Sequence, residues 1–172
     1  NTLSGPLPAA HRRFEALDSL RGVCAILVVM FHMPVASHWR DWGFIQHSYL
    51  FVDYFFVLSG FVIAHAYANR LQSGRDAGRF MVRRFGRIWP LHLLMLAAFI
   101  GLELARLVFN FDNAPPFTRD RSIEAIFTNL ALIQAWHVHP YLTWNGPSWT
   151  LSAEWACYLI FAGLVLIAPK RF

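Results

Sequence analysis

The sequence predicts an all-α fold, a polytopic bundle of transmembrane helices. Hydrophobic residues make up 56% of the 172 residues, charged residues make up only 15%, and the mean hydropathy is +0.39. A typical soluble domain carries roughly 25% charged and roughly 45–50% apolar residues, so this chain has too few charges to cover a water-exposed globule. The aromatic content of 16% excludes intrinsic disorder, and only two cysteines, both in apolar runs, exclude a disulfide scaffold.

Four segments are long and apolar enough to cross a bilayer, which requires about 20 mostly apolar residues. The predicted spans are Ser19–Ser37, Tyr49–Tyr67, Ile88–Phe109 and Thr150–Ala168. A fifth apolar segment, Ser122–Trp136, is shorter and is interrupted by polar residues. A short span, a re-entrant segment and an interfacial helix all stay open for it, so we predict about four spans plus one short or re-entrant helix.

Positive charge predicts the orientation. Arginine supplies all but one of the 15 Lys and Arg residues. Six of them lie between the second and third predicted spans: Arg70, Arg75, Arg79, Arg83, Arg84 and Arg87. Because positive residues are enriched in cytoplasmic loops, this segment is predicted to be a cytoplasmic loop and residues 1–18 a cytoplasmic leader. A full crossing by Ser122–Trp136 would leave Lys170 and Arg171 outside, which the same rule disfavours.

Ionisable side chains inside spans are costly and are therefore functional candidates. Arg21 and His32 in the first span are eleven residues apart, so they lie on one helical face and about 16 Å apart along the axis. Snorkelling also explains Arg21, and a core histidine bonded to a backbone group also explains His32. Asp53, near the outer end of the second span, is either a functional carboxylate or an interfacial partner of a loop cation.

The segment Arg83–Arg87 abuts the predicted third span. The planar guanidinium of arginine binds phosphate through two parallel hydrogen bonds, and Arg83 and Arg87 are four apart, so they share one face if the segment is helical. A phosphate-bearing donor would need such a cluster, but topology signalling and anionic lipid head groups would use it equally well. Further along, Glu103 and Arg106 are three apart and predict a self-neutralising pair.

Glu154 lies about one turn inside the apolar helix that follows the turn Asn145–Pro147. A carboxylate near a helix N-terminus is favourable to the helix dipole, but the apolar neighbours of Glu154 place it toward a protein interior. His137 and His139 lack partners at metal-ligand spacing, so no metal site is predicted. The sequence contains no glycine-rich nucleotide motif and no nucleic-acid-binding module, so we predict no nucleic-acid partner.

Four motifs together resemble the acyltransferase 3 family of integral membrane acyltransferases, which includes bacterial O-antigen acetylases. Leu17–Gly22 with His32 resembles the family's L-D-x-L-R-G start and R-x10-H pattern, and Val52–Phe61 resembles its V-D-x-F-F-V-L-S-G-F stretch. Arg84–Pro90 resembles R-x-x-R-I-x-P, and Trp149–Glu154 resembles W-S-L-S-x-E. The four occur in the family's order across nearly the whole chain, which makes the resemblance specific.

The resemblance implies a larger fold of about ten spans. This chain would supply its N-terminal portion as a single membrane-embedded acyltransferase domain over residues 1–172. The implied donor is acyl-CoA, in the first instance acetyl-CoA, with no permanently bound cofactor. The implied acceptor is a hydroxyl of a carbohydrate or a similar molecule, and the implied location is the bacterial inner membrane, with the N-terminus cytoplasmic.

The resemblance also implies roles for individual residues. His32 would be the catalytic general base or a transient acyl carrier, and Arg21 would orient the donor. Glu154, and less strongly Asp53, would set the protonation state of His32. Three arginines would hold the donor phosphates: Arg83, Arg84 and Arg87. We expect Arg21 and the arginines toward one membrane face, and His32, Asp53 and Glu154 toward the other.

Two other classes of protein stay open. A proton-coupled transporter or flippase also requires ionisable groups inside its spans. Transport folds often contain internal repeats, and this sequence shows none. An inert membrane anchor is disfavoured because so many ionisable residues lie inside the predicted spans.

Overall fold

The computed structural model describes residues 15–33, 42–67, 70–110 and 114–167, with the backbone alone for residues 15–18 and 21. Six α-helices cover most of this part of the chain: α1 Glu15–His32, α2 Gly43–Gln46, α3 Leu50–Tyr67, α4 Gly74–Phe109, α5 Ile123–Leu130 and α6 Trp149–Ile167. Short 3-10 turns occupy Arg119–Arg121 and Gly146–Ser148. All elements in these ranges are helical, so the predicted all-α class is confirmed. The chain divides into two compact units, residues 1–59 and 60–172.

Three helices are long and apolar enough to cross a membrane: α3, α4 and α6 together with the turn before it. Helix α3 matches the predicted span Tyr49–Tyr67, and α6 matches Thr150–Ala168, each to within one residue at the bounds described. Helix α1 has a shorter apolar part, Gly22–His32, and the continuation of its predicted span through residues 34–37 lies outside the described residues. The chain is therefore an integral membrane protein.

Helix α4 is longer than the sequence indicated. The prediction of a loop up to Arg87 is wrong, because the helix begins at Gly74 and runs for 36 residues, about 54 Å. The Ser73 hydroxyl caps it by accepting a hydrogen bond from the Asp76 N–H (3.2 Å) and donating one to the Asp76 carboxylate (2.7 Å). It ends at Phe109, and the capping residue Asn110 has a φ of 50°, in the left-handed conformation that asparagine tolerates.

Helix α5 resolves part of the ambiguity at Ser122–Trp136. It covers only Ile123–Leu130, a rise of about 12 Å, whereas the hydrocarbon core is about 30 Å thick. Ser122 caps this helix by accepting a hydrogen bond from the Ala125 N–H at 3.3 Å. A series of turns follows, with Leu132 in the left-handed region at φ 56°. The segment therefore does not form a full span.

The first unit contains α1, α2 and the first part of α3. The sequence did not predict α2, a single turn whose Ile45 is buried. Aromatic contacts pack this unit, with ring centroids 6.1 Å apart for Phe31 and Tyr49 and 5.8 Å apart for Phe44 and Phe51. Such pairs add roughly 0.5–1.5 kcal/mol each beyond their buried area.

The second unit is organised along α4. One apolar cluster joins the first part of α4 to α6 and to the end of α3, with buried residues Ile63, Leu71, Ala77, Phe80, Tyr158 and Ala162. A second cluster joins the later part of α4 to α5 and its flanking segments, with buried residues Leu96, Ala125 and Trp144. Helix α4 thus contributes residues to both apolar clusters.

Ring contacts fix the level at which α6 lies against α4. The Phe80 ring lies 5.9 Å from Tyr158 and 5.8 Å from Phe161, and the Phe85 ring lies 5.4 Å from Trp155. The residue with the higher number on α4, Phe85, contacts the residue with the lowest number on α6, Trp155, so the two helices are antiparallel. The arginine-rich part of α4 consequently lies beside the middle of α6 and not beyond its end.

Candidate active site

Arg84 is held by three aromatic rings. Its guanidinium carbon lies 5.1 Å from the Tyr67 ring centroid and 5.5 Å from those of Phe80 and Tyr158. A guanidinium within about 6 Å of an aromatic face is attracted to it by the quadrupole of the ring. These rings come from α3, α4 and α6, so packing of three helices positions one half-buried cation.

Arg83 lines a cavity of about 180 Å³ beside the start of α4. Arg70 and Arg79 also line this cavity, together with one carboxylate, Asp76. Three cations against one anion make it electropositive. The i, i+4 spacing of Arg79 and Arg83 on a continuous helix explains why both reach it.

The three arginines predicted to bind the donor have no acidic partner among the described residues. Neither Arg83, Arg84 nor Arg87 has a carboxylate within 4.0 Å in the described part of the chain. Arg83 and Arg87 are exposed, whereas Arg84 is half-buried. Uncompensated guanidinium groups beside an apolar helix favour binding of an anion, because planar bidentate contacts to phosphate are strong in such surroundings.

Glu154 is connected to this arginine segment. The Tyr158 hydroxyl donates a hydrogen bond to Glu154 one turn away on α6, and the ring of the same Tyr158 faces Arg84. The expectation that Glu154 lies toward the opposite membrane face from the arginines is therefore wrong. The physical reason is the axial overlap of α6 with the first part of α4, which the predicted loop at residues 70–87 did not allow.

His32 ends α1 in the first unit, with its side chain exposed. Its Nδ1 lies 2.8 Å from the Val28 carbonyl oxygen, one turn earlier in the same helix. A carbonyl oxygen only accepts, so Nδ1 carries the proton and donates it. In the neutral ring Nε2 is then the unprotonated nitrogen, which is the form that a general base or nucleophile requires.

Asp53 and Arg21 also belong to the first unit. Asp53 lies in the first turn of α3 with an exposed side chain, a position where a carboxylate is favourable to the helix dipole. Arg21 lies on the backbone of α1, and its side chain lies outside the described residues. The catalytic roles assigned to these two residues, to His32 and to Glu154 stay predictions.

The fourth motif, Trp149–Glu154, contains Ser152, whose buried hydrogen bonds hold the turns after α5 against α6. We call these bonds the buried clamp. The fully buried Ser152 hydroxyl donates to the Leu132 carbonyl oxygen (2.8 Å) and accepts from the Ala135 N–H (3.2 Å). From α4, buried His92 donates through Nε2 to the Asn129 carbonyl oxygen at 2.9 Å. These bonds satisfy backbone groups that turns would otherwise leave unpaired in an apolar interior.

The predicted Glu103–Arg106 pair is confirmed. Glu103 is buried and accepts hydrogen bonds from Arg106 at 2.6 and 3.1 Å. Arg121 adds a further contact at 2.8 Å, and the Phe117 N–H donates to the same carboxylate at 3.2 Å. The pair therefore ties the segment after α4 to the end of that helix, and its role here is structural.

Sequence reasoning missed several members of this region. Arg70 and Arg79 share the cavity with Arg83, and the four-residue spacing of Arg79 and Arg83 was the signal available for one of them. Tyr67 and Tyr158 hold Arg84 from other helices. No spacing rule relates these tyrosines to Arg84, because the contacts depend on tertiary packing.

Comparison with known proteins agrees with the motifs. A family model described as an acyltransferase domain matches residues 14–172. A protein named "Protein 2 in picA locus" from Rhizobium radiobacter is 37% identical over 153 residues, which is 85% of this chain and 76% of that protein. Acyltransferase MdmB from Streptomyces mycarofaciens is 30% identical over 165 residues, 90% of this chain and 40% of that protein.

A third relative is a longer protein than the first two. Peptidoglycan O-acetyltransferase OatA from Listeria monocytogenes is 24% identical over 172 residues, which is 94% of this chain and 25% of that protein. The chain thus spans about three quarters of one relative and less than half of the other two. No solved structure gives a significant match. On the family match and these identities, the chain belongs to the acyltransferase 3 family of integral membrane acyltransferases.

Proposed function

We propose that this chain carries the donor-binding and base-supplying part of an acyltransferase of the bacterial inner membrane, with a cytoplasmic N-terminus. The enzyme transfers an acyl group, in the first instance acetyl, from acyl-CoA to a hydroxyl of a carbohydrate acceptor. The observation that carries the donor assignment is the arginine segment, an electropositive cavity beside an oriented Arg84. Membership in an acyltransferase family and a relative named as a peptidoglycan O-acetyltransferase support the reaction and the acceptor class.

The donor phosphates bind at the arginines. Arg83, with Arg79 in the same cavity, supplies a pair of planar forks, and Arg84 and Arg87 extend the positive surface along α4. Arginine suits this role because its charge persists at all physiological pH values and its geometry matches two phosphate oxygens at once. An apolar helix beside the cluster lowers the local dielectric and strengthens the attraction.

The chemical step is a proton abstraction coupled to acyl transfer. Nε2 of His32 takes the proton from the acceptor hydroxyl, and the resulting oxygen nucleophile attacks the thioester carbonyl carbon. The C–O bond forms, the C–S bond breaks, and the CoA thiolate leaves and recovers the proton from His32. The Nδ1 bond to the Val28 carbonyl holds the ring in the required tautomer. Arg21 orients the donor, and Asp53 and Glu154 are the candidate carboxylates that tune His32.

The test uses the protein in membranes supplied with radiolabelled acetyl-CoA. His32→Ala is compared with His47→Ala, a matched control whose Nδ1 also lies at hydrogen-bond distance (2.6 Å) from a carbonyl oxygen one turn earlier, Gly43 O. We expect label transfer to endogenous glycan or lipid to fall about 10²–10⁴-fold for His32→Ala and to stay within about twofold for His47→Ala, whose imidazole has no part in the proposed step.

A second variant separates donor binding from chemistry. Arg83→Ala should raise the KM for acetyl-CoA more than it lowers kcat, because it removes a phosphate contact present in both ground and transition states. Unchanged transfer by His32→Ala, at equal protein levels, would remove His32 from the mechanism. Absence of transfer by the wild type across several acyl donors would favour the transporter or flippase hypothesis, with proton-coupled flux as the next measurement.

A further inference from the structure

A second cavity lies between the turns after α5 and the start of α6. Its volume is about 290 Å³, at the low end of ligand pockets, which start at roughly 300 Å³. Side chains of Gln134, His137, His139, Tyr141 and Trp149 line it. All of them belong to the second unit and none to the arginine-lined cavity. A space of this size suits a single ring and not a long acyl chain.

The walls of this cavity are fixed by side-chain hydrogen bonds. His139 Nε2 and the Thr128 hydroxyl on α5 are 2.8 Å apart, and Asn129 donates through Nδ2 to the Thr143 hydroxyl at 2.8 Å. Gln134 donates through Nε2 to the Ser148 carbonyl (3.2 Å) and hydroxyl (3.3 Å) oxygens. The turns are therefore anchored to α5 at one end and to α6 at the other, so the cavity is built before any ligand arrives.

Gln134 supplies the polar feature that points to a ligand. The residue is 6% exposed, and its Oε1 is one of the buried polar atoms with no hydrogen-bond partner within the described ranges. Because both bonds to Ser148 use Nε2, the amide orientation is set and Oε1 is left as the free acceptor. A buried acceptor without a donor costs about 1–3 kcal/mol. Gln134 lines the cavity while its Oε1 is shielded, so a ligand hydroxyl that displaces the amide slightly would supply the missing donor.

The remaining lining residues favour a neutral ring with one apolar face. Tyr141 stacks on His139 with centroids 6.3 Å apart, yet it stays 42% exposed, and Trp149 stays 36% exposed. Aspartate, glutamate, lysine and arginine are absent from the described residues of the lining. This contrasts with the cavity at Arg83, where three arginines face one carboxylate. The cavity at Arg83 therefore favours an anion, whereas the cavity around Gln134, whose lining has two histidines but no arginine, lysine or carboxylate among the described residues, favours an uncharged ligand.

We propose that the cavity around Gln134 is the acceptor pocket and takes a neutral pyranose ring. The Gln134 Oε1 accepts a hydrogen bond from a ring hydroxyl, and Tyr141 and Trp149 pack against the apolar face of the sugar. The assignment rests on the proposed function in one respect, that the bound sugar is the molecule acylated. Trp149 opens α6 and Glu154 follows about 7.5 Å along it, so one helix connects this pocket to the carboxylate beside the arginine segment.

Binding is tested without any reaction. Methyl β-D-glucopyranoside is titrated against the protein in nanodiscs and followed by saturation-transfer NMR, with the charged methyl glucuronide as a second probe. Tyr141→Leu is compared with Phe127→Leu, which replaces an exposed aromatic outside the cavity, with 68% of its surface exposed against 42% for Tyr141. We expect Tyr141→Leu to weaken glucoside binding at least tenfold, Phe127→Leu to leave it within twofold, and the glucuronide to bind at least tenfold more weakly than the glucoside.

A second variant, Gln134→Met, keeps the side-chain length and removes Oε1. It also removes the bonds to Ser148, so its thermal unfolding is measured alongside; if it unfolds, the Tyr141 comparison alone decides the question. Equal glucoside affinity in the wild type and Tyr141→Leu would overturn the proposal. Tighter binding of the glucuronide than of the glucoside would overturn it as well.

Acetyl transfer to the same glucoside distinguishes this inference from the proposed function. In Tyr141→Leu the KM for the glucoside should rise at least tenfold, with the KM for acetyl-CoA unchanged. Transfer by the wild type with an unchanged glucoside KM in Tyr141→Leu would refute the pocket and leave the function standing. Glucoside binding that depends on Tyr141, without any transfer by the wild type, would support the pocket and refute the function.

Discussion

Replacement of Ser152 by alanine tests the buried clamp between α6 and the turn after α5. The substitution removes one hydroxyl from a site with no solvent exposure and changes the side-chain volume little. It leaves the Leu132 carbonyl and the Ala135 N–H without their partners, at 2.8 and 3.2 Å in the wild type. Each unsatisfied buried group costs about 1–3 kcal/mol, so for the two groups we expect the free energy of unfolding to fall by about 2–6 kcal/mol.

The assay is reversible unfolding in mixed detergent and SDS micelles, followed by circular dichroism. The matched control is Thr150→Ala on the same helix, whose hydroxyl donates to the Pro147 carbonyl oxygen (2.9 Å) at an exposed position. That carbonyl can exchange its partner for water, so the control should lose only about 0.5–1 kcal/mol. If Ser152→Ala loses no more than Thr150→Ala, the clamp does not stabilise the fold and the argument fails.

Three further predictions concern other parts of the second unit. Glu103→Gln should lower the free energy of unfolding by about 3 kcal/mol in the same assay, because two arginines lose a buried carboxylate partner. The control Glu124→Gln, at an exposed position, should lower it by under about 0.5 kcal/mol, and similar losses in the two variants would contradict this reasoning. Arg84→Lys keeps the charge but loses the planar contact with three rings, so the KM for acetyl-CoA should rise about tenfold, whereas exposed Arg75→Lys should leave it unchanged. Asn110→Gly should preserve the thermal stability and Asn110→Val should lower it by about 1–2 kcal/mol, because φ is 50° there; equal melting of the two variants would refute the strain argument.

Hydropathy and family motifs predicted more of the fold than periodicity alone could. The segments of α3 and α6 are mostly apolar, with one carboxylate in each, Asp53 and Glu154. A bilayer imposes both a minimum length and a satisfied helical backbone on such segments, so the predicted bounds agree closely with the helices. Charge misled the prediction at residues 70–87, because six arginines suggested a loop. Arginine is a good helix former, and the Ser73 cap begins the helix before the apolar run does.

The sequence by itself determined the membrane class, the family and the identity of the candidate groups, because hydropathy, residue type and motif order are properties of the chain. It also determined the Glu103–Arg106 pair, since i, i+3 neighbours on a helix must meet. Only the tertiary structure decided that Arg84 lies among rings from three helices, that Glu154 is bonded to Tyr158 beside it, and that the Gln134 cavity exists. These features depend on the axial level at which α6 packs against α4 and on turns with positive φ, and contacts between distant segments leave no periodic signal in the sequence.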